Sequence, residues 1–188
     1  LKVGQKLLLP GVTSLKYVPA PAIHSSNLKI IRRSQWSKHS IKGNTNPMGA
    51  IKKITVHHTD DGPKLSKISD LKFLQGIENH HRNNRGWATI GYHFIIGRDG
   101  KIYEGRPLKY QGAHTSGNNA NNAGISLIGD FNHHMPSNSQ MYSLKALLSN
   151  LRKTHKISAK KVYGHTHQGQ TECPGKMMKS WIERYRRQ

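Results

Sequence analysis

The apolar positions of this chain recur with helical spacing in three stretches. Each stretch places a large apolar side chain every three or four residues, so that these side chains fall on one face of a helix. Serines near the start of the first two stretches can act as N-caps, Ser66 or Ser69 for the first and Ser137 or Ser139 for the second. The three stripes are Ile68, Leu71, Leu74 and Ile77; Met141, Leu144, Leu148 and Leu151; and Met178, Trp181, Ile182 and Tyr185.

Short runs rich in β-branched and aromatic residues lie between the helical stretches and are typical of strands. The last of them is apolar on both faces, which predicts a central strand of a covered sheet. Because helices and strands alternate, the sequence predicts an α/β fold with a mixed central β-sheet flanked by about three amphipathic helices. The runs are KITVHH (53–58), GYHFIIG (91–97), IYEG (102–105) and AGISLIGDF (123–131).

The composition divides the chain near residue 28. Residues 12–27 contain prolines and serines without sustained periodicity and are predicted to be a linker, whereas residues 28–188 have the composition of one folded domain. No stretch approaches the roughly 20 apolar residues of a membrane span. We therefore expect a single domain without a transmembrane segment.

The charge is strongly basic, with 30 Lys and Arg residues against 9 Asp and Glu residues and a formal net charge of +21. Such an excess predicts attraction to a polyanion, and nucleic acid, anionic lipid and anionic cell-wall polymers all qualify. A nucleic-acid-binding domain is supported by charge alone, because neither zinc-finger spacing nor an aromatic and basic single-strand signature is found. No nucleic-acid partner is expected.

Two adjacent histidines, His57 and His58, end the first predicted strand. Successive side chains of a strand face opposite sides, so only one of the two can point into a given site. An isolated strand histidine is as compatible with a hydrogen-bonded core residue as with a metal ligand.

The single cysteine, Cys173, lies eight residues after His165 in a loop with the sequence GHTHQGQTECPG. A lone cysteine can be a buried apolar residue, a nucleophile or a metal ligand. Two imidazoles and one thiolate would suit a catalytic zinc ion. A nucleophilic cysteine with His165 or His167 as its base is the competing interpretation, but it does not explain the strand histidines.

Five motifs follow one another along the chain, namely IRRSQW (31–36), VHHT (56–59), GYHFIIGRDGKIYEGRP (91–107), GAHTSGNNANNAGISLIGDF (112–131) and GHTHQGQTECPG (164–175). In this order they resemble the peptidoglycan recognition protein and phage-lysozyme-type amidase family. That resemblance implies a zinc-dependent N-acetylmuramoyl-L-alanine amidase, which hydrolyses the amide bond between N-acetylmuramic acid and L-alanine in peptidoglycan. A muropeptide recognition protein that binds without cutting is the alternative.

By this resemblance His57, His165 and Cys173 are the zinc ligands, and His58 faces away as support. The fourth zinc position would hold a water molecule whose pKa the metal lowers towards about 7. Tyr92 corresponds to the family's catalytic tyrosine, which donates a hydrogen bond to the developing oxyanion.

A second catalytic residue implied by the resemblance is Thr171, which stands where phage amidases carry a lysine. It has no positive charge and can assist only by hydrogen bonding.

Further residues are assigned by the same resemblance. Those in the segment that lines the family's muropeptide groove are His114, Asn118, Asn119 and Asn122. Five other histidines are interpreted as structural or exposed, namely His80, His81, His93, His133 and His134.

The first eleven residues, 1–11, are similar to the last strand of a LysM repeat, a glycan-binding module that often precedes such amidases. The resemblance therefore implies peptidoglycan muropeptides and anionic cell-wall polymers as partners. It also implies an extracellular or cell-wall location, as for an autolysin or an endolysin.

Overall fold

Six strands form one mixed sheet in the computed structural model, which describes residues 28–60 and 67–188. β5 lies between β2 and β3 and is parallel to both, β6 is parallel to β2, and β4 is antiparallel to β3 and parallel to β1. The order across the sheet is β1-β4-β3-β5-β2-β6. The strands are β1 (Ile30–Ile31), β2 (Lys53–His58), β3 (Phe94–Ile96), β4 (Ile102–Glu104), β5 (Asn122–Leu127) and β6 (Val162–Gly164).

Three α-helices are found in the described part of the chain, namely α1 (Asp70–Asn83), α2 (Asn138–His155) and α3 (Lys176–Tyr185). The predicted α/β fold with a mixed sheet and three flanking helices is thus confirmed. Ser69 and Ser137 cap α1 and α2, since their side chains accept hydrogen bonds from the backbone N–H groups of Lys72 and Gln140. The predicted segments 1–11 and 12–27, and the alternative cap Ser66, lie outside the described residues.

One face of the sheet is apolar and is covered by α2 and α3. Ile54 and Val56 of β2 share this face with Ile125 and Leu127 of β5, because paired residues of neighbouring strands point to the same side. The predicted stripe of α2 is buried against them, and α3 adds Met178, Ile182 and Tyr185. This is the main hydrophobic core of the domain.

The opposite face is polar where β2 and β5 meet. Thr55 and His57 stand beside Gly124 and Ser126, and all four residues are buried. The prediction that the β5 run is apolar on both faces is therefore wrong for this face. The 3-10 helix His165–His167 and the loops that carry His114 and Cys173 lie over this half of the sheet.

The other half of this second face, around β3 and β4, is apolar and is covered by α1 together with the segment around Trp36. Phe73 and Leu74 of α1 pack with Trp36 and with Ile95 of β3. Arg33 forms a buried ion pair with Glu78 of α1, with 2.5 Å between Nη2 and Oε1. The IRRSQW motif thus anchors α1 to the domain.

The predicted apolar stripe of the first helix is wrong in part. Leu74 is fully buried and Ile77 is partly buried, but Ile68 precedes the helix and Leu71 is 43% exposed. Phe73 and Glu78 take part in the buried face instead. A glutamate can occupy this face because Arg33 neutralises its charge.

Candidate functional site

Three predicted ligands from distant parts of the chain come together on the polar face of the sheet. One nitrogen of His57, one nitrogen of His165 and Sγ of Cys173 all lie within 4.8 Å of one another. His57 projects from β2, His165 directly follows β6, and Cys173 lies in the loop before α3. Because β2 and β6 are paired, their ends hold the two imidazoles in a fixed relation.

The loop that carries Cys173 is held by backbone contacts. The thiol lies 3.6 Å from Nδ1 of His57, and the backbone N–H of His58 points to Sγ at 3.4 Å. Thr171 Oγ1 accepts a hydrogen bond from the backbone N–H of Cys173 at 3.1 Å. Thr166 N–H donates to the carbonyl oxygen of Cys173 at 2.8 Å. The structure therefore places Thr171 next to the site, with a hydroxyl that orients the cysteine.

Burial controls the protonation of this cluster. It lowers the pKa of His57 well below its usual value, with additional effects from neighbouring histidines, and it lowers the pKa of His165. Burial raises the pKa of the Cys173 thiol to about 12. Two neutral imidazoles can donate lone pairs to a metal ion, and a bound cation would deprotonate a thiol that coordinates it, whereas without a cation a thiol of such high pKa is a weak nucleophile at neutral pH. The cluster therefore favours metal binding over the nucleophilic interpretation of Cys173.

The donor set fits a catalytic zinc ion. Zinc prefers nitrogen and sulfur ligands at about 2.0–2.1 Å and about 2.3 Å, which in tetrahedral geometry places sulfur and nitrogen about 3.6 Å apart. The distance between Cys173 Sγ and His57 Nδ1 is 3.6 Å. Three protein ligands leave a fourth position for water or substrate.

Tyr92 stands at the edge of this cluster, just before β3. Its ring centroid lies 5.2 Å from that of His57. Burial and the nearby charge of Cys173 raise the pKa of the tyrosine hydroxyl above its usual value. The hydroxyl thus remains a hydrogen-bond donor at neutral and moderately alkaline pH.

A groove of about 390 Å³ runs from Tyr92 along α1. Its walls include His81, Lys72 and Thr59, and Ile68 contributes an apolar side chain. His81, predicted to be structural or exposed, accepts a hydrogen bond at Nδ1 from the backbone N–H of Gly91 at 3.2 Å, and its ring lies 6.0 Å from that of Tyr92 in the groove wall. The helical spacing of Lys72, Gly76 and His80 on one side of α1 is a signal that could have identified this wall.

The four residues assigned to substrate binding take different positions. Asn118 and Asn119 line two separate surface pockets. His114 and Asn122 are buried beneath them, and the Asn122 amide donates to the carbonyl oxygen of Asn118 and accepts from Thr55 Oγ1. Their contact with substrate stays a prediction.

His58 lies on the opposite face from His57, as strand alternation predicts. Its Nδ1 lies 3.3 Å from the backbone N–H of Phe131 and 3.8 Å from a carboxylate oxygen of Asp130. It is buried beside the main core and supports the loop that follows β5. His167, the alternative base, bonds to the backbone of Gly164 and is not part of the three-residue cluster.

Comparison with known proteins identifies the family. Residues 47–176 match the Amidase_2 family, described as N-acetylmuramoyl-L-alanine amidase, and the chain belongs to that family. Peptidoglycan-recognition protein SC2 of Drosophila melanogaster is 36% identical over 147 residues, which cover 78% of this chain and 80% of that protein.

Two solved structures share the fold. Peptidoglycan recognition protein LE in complex with tracheal cytotoxin, a monomeric diaminopimelic acid-type peptidoglycan, superposes with a TM-score of 0.74 at 30% identity and covers 82% of this chain and 92% of its own. The N-acetylmuramoyl-L-alanine amidase LysC of Clostridium intestinale superposes with a TM-score of 0.70 at 33% identity. The superposition covers 83% of this chain and 95% of the LysC chain. The relatives thus include both recognition proteins and amidases.

Proposed function

We propose that the protein is a zinc-dependent peptidoglycan hydrolase, which cleaves the amide bond between N-acetylmuramic acid and L-alanine. The observation that carries this proposal is the convergence of His57, His165 and Cys173 beside Tyr92 at the end of the groove. Membership of the amidase family and the likeness to a clostridial amidase support it.

The residues of the site have distinct roles in this proposal. His57, His165 and Cys173 would hold zinc, which when bound would act as a Lewis acid and lower the pKa of a water molecule towards about 7. The Tyr92 hydroxyl would donate a hydrogen bond to the carbonyl oxygen of the scissile amide as it gains negative charge. Thr171 orients Cys173 and keeps a hydroxyl hydrogen free to assist.

The groove along α1 would bind the muropeptide. It places Lys72 and His81 where they can donate hydrogen bonds to peptide carboxylates or carbonyl oxygens. The pockets at Asn118 and Asn119 would extend the contact on the other side of the cluster. The tracheal cytotoxin complex of a structural relative supports this choice of ligand.

A recognition protein that binds muropeptides without hydrolysis is the second candidate, because the curated relative with 36% identity is named a peptidoglycan-recognition protein. Binding alone does not require a thiol beside two imidazoles. The two candidates are separated by incubating purified peptidoglycan with protein that has been stripped by a chelator and then restored with zinc. Hydrolysis predicts new L-alanine amino groups only after restoration, whereas pure recognition predicts binding without any new amino groups.

We also propose that anionic cell-wall polymers are partners and that the protein acts outside the cell or on the wall. A pocket of about 440 Å³ is lined by Lys52, Lys53 and Lys161, and none of the described residues that line it is acidic. Burial and the charge of Lys161 lower the pKa of Lys53. A polymer of phosphodiesters would relieve the repulsion between these lysines. Within the described ranges no helix has the length and apolar character of a membrane span.

Binding to whole cell walls is expected to weaken by more than about fivefold when salt rises from physiological strength to about 1 M, because the Debye length shortens from about 8 Å to about 3 Å. Cleavage of a small soluble muropeptide should change far less. A Lys52→Gln, Lys161→Gln double variant should lower wall binding more than the matched control Lys145→Gln, Lys153→Gln on the exposed side of α2. Equal salt dependence of binding and cleavage would contradict this prediction, and tight binding to duplex DNA at physiological salt would favour a nucleic-acid partner.

A further inference from the structure

The ring of His114 is buried and tightly enclosed by the backbone, which substrate contact alone would not require. Its ring is buried between the backbones of Gly112 and Gly124, and a Cβ atom at either glycine would overlap the ring. Both positions need glycine for this close approach. The orientation of the His114 ring is therefore fixed by the backbone around it.

The hydrogen bonds of this ring show which of its nitrogens carries hydrogen. Nε2 of His114 lies 3.2 Å from the backbone carbonyl oxygen of Asn122. A carbonyl oxygen can only accept, so Nε2 is the donor, and Nδ1 of the neutral ring keeps a lone pair. That Nδ1 lies 3.0 Å from Nε2 of His57.

His57 must then donate from Nε2, because two lone pairs would otherwise face each other at 3.0 Å. Thr115 Oγ1 lies 2.9 Å from the same nitrogen of His114, and its rotatable hydroxyl can share this acceptor or turn away. With Nε2 protonated, Nδ1 of His57 keeps its lone pair. This is the atom that lies 3.6 Å from Cys173 Sγ.

We infer that His114 is a positioning residue, which holds His57 in the Nε2–H tautomer and so keeps Nδ1 of His57 free to bind a metal ion. The hydrogen-bond chain begins at Asn122, the first residue of β5, and thus ties the ligand to the backbone of the central sheet. The inference rests on the proposed function in one respect, since that proposal names zinc as the metal ion. His114 affects the reaction through His57 and not through substrate.

Zinc affinity of position-114 variants tests this role. His114→Leu removes the acceptor and should weaken zinc binding by about 10- to 100-fold, the usual effect of losing the hydrogen-bond partner of a metal-binding histidine. His114→Asn places an amide oxygen near the position of Nδ1 and should recover most of the affinity. The matched control is Gln140→Leu, since Gln140 is also buried and hydrogen-bonded but lies on α2, which covers the opposite face of the sheet.

The tautomer of His57 can be measured directly in the metal-free wild-type protein, with His114→Leu for comparison. Nitrogen-15 NMR of the metal-free wild-type protein should show His57 protonated at Nε2, whereas His114→Leu should show a mixture of tautomers. The inference is overturned by an Nδ1–H tautomer of His57 in the wild type, or by His114→Leu binding zinc as tightly as the wild type. A wild-type protein that binds no zinc would contradict the proposed function, and the tautomer of His57 would still decide the inference.

Discussion

Replacing His57 by alanine is expected to abolish zinc binding, whereas replacing its neighbour His58 by alanine is expected to leave zinc binding intact. The two side chains leave the same strand on opposite faces, and only His57 faces His165 and Cys173. Loss of a ligand should exceed the roughly 100-fold upper effect of losing a ligand's hydrogen-bond partner. Zinc content and chelator competition measure the difference.

His58 is a control that shares burial, residue type and strand with His57. His58→Ala should lower the free energy of unfolding by about 1–3 kcal/mol, because it removes a buried hydrogen-bonded ring. Cys173→Ser should lose zinc binding, as His57→Ala does. Full zinc content in Cys173→Ser, or loss of zinc in His58→Ala alone, would show that the ligand set is wrong.

Removing the Tyr92 hydroxyl is expected to lower turnover by roughly 10²-fold or more, the effect of losing one hydrogen bond to a developing oxyanion. Tyr92→Phe should keep its fold and its zinc, because the ring stays in place beside His57. Initial rates on a soluble muropeptide and zinc content of the same sample measure both properties.

Tyr142→Phe is the matched control for this change, since Tyr142 is 46% exposed on α2, on the far side of the sheet. Its turnover should equal that of the wild type. Unchanged turnover in Tyr92→Phe would assign Tyr92 to packing of the groove wall.

The sequence predicted the larger elements of the fold because their apolar spacing is strong. The stripes of α2 and α3 are buried as expected, although Trp181 is only partly so, and β2 and β5 lie where their β-branched runs indicated. β1 and β6, of two and three residues, were not predicted, whereas β3 and β4 are as short but lie within the predicted runs GYHFIIG and IYEG. The buried face of α1 depends on the pairing of Arg33 with Glu78, a contact between distant residues that local spacing does not encode.

The candidate site depended on similar long-range information. His57 is more than 100 residues from His165 and Cys173. The pairing of β2 with β6 brings His165 to His57, and backbone contacts of His58 and Thr166 hold Cys173 beside them. Resemblance to a family supplied this grouping, which local sequence patterns could not. It could not show that His114 and Asn122 lie buried behind the proposed zinc ligands, because loop asparagines and histidines have the same sequence pattern whether they face substrate or the sheet.

Mass spectrometry of the products formed from a defined disaccharide-peptide muropeptide tests the central claim most directly. The zinc-loaded protein should release the intact disaccharide with its lactyl group and a peptide that begins with L-alanine, and a chelator should stop the reaction until zinc is restored. A muropeptide that binds but stays intact, or that is cut between its sugars or within its peptide, would contradict the assignment of this protein as a zinc amidase.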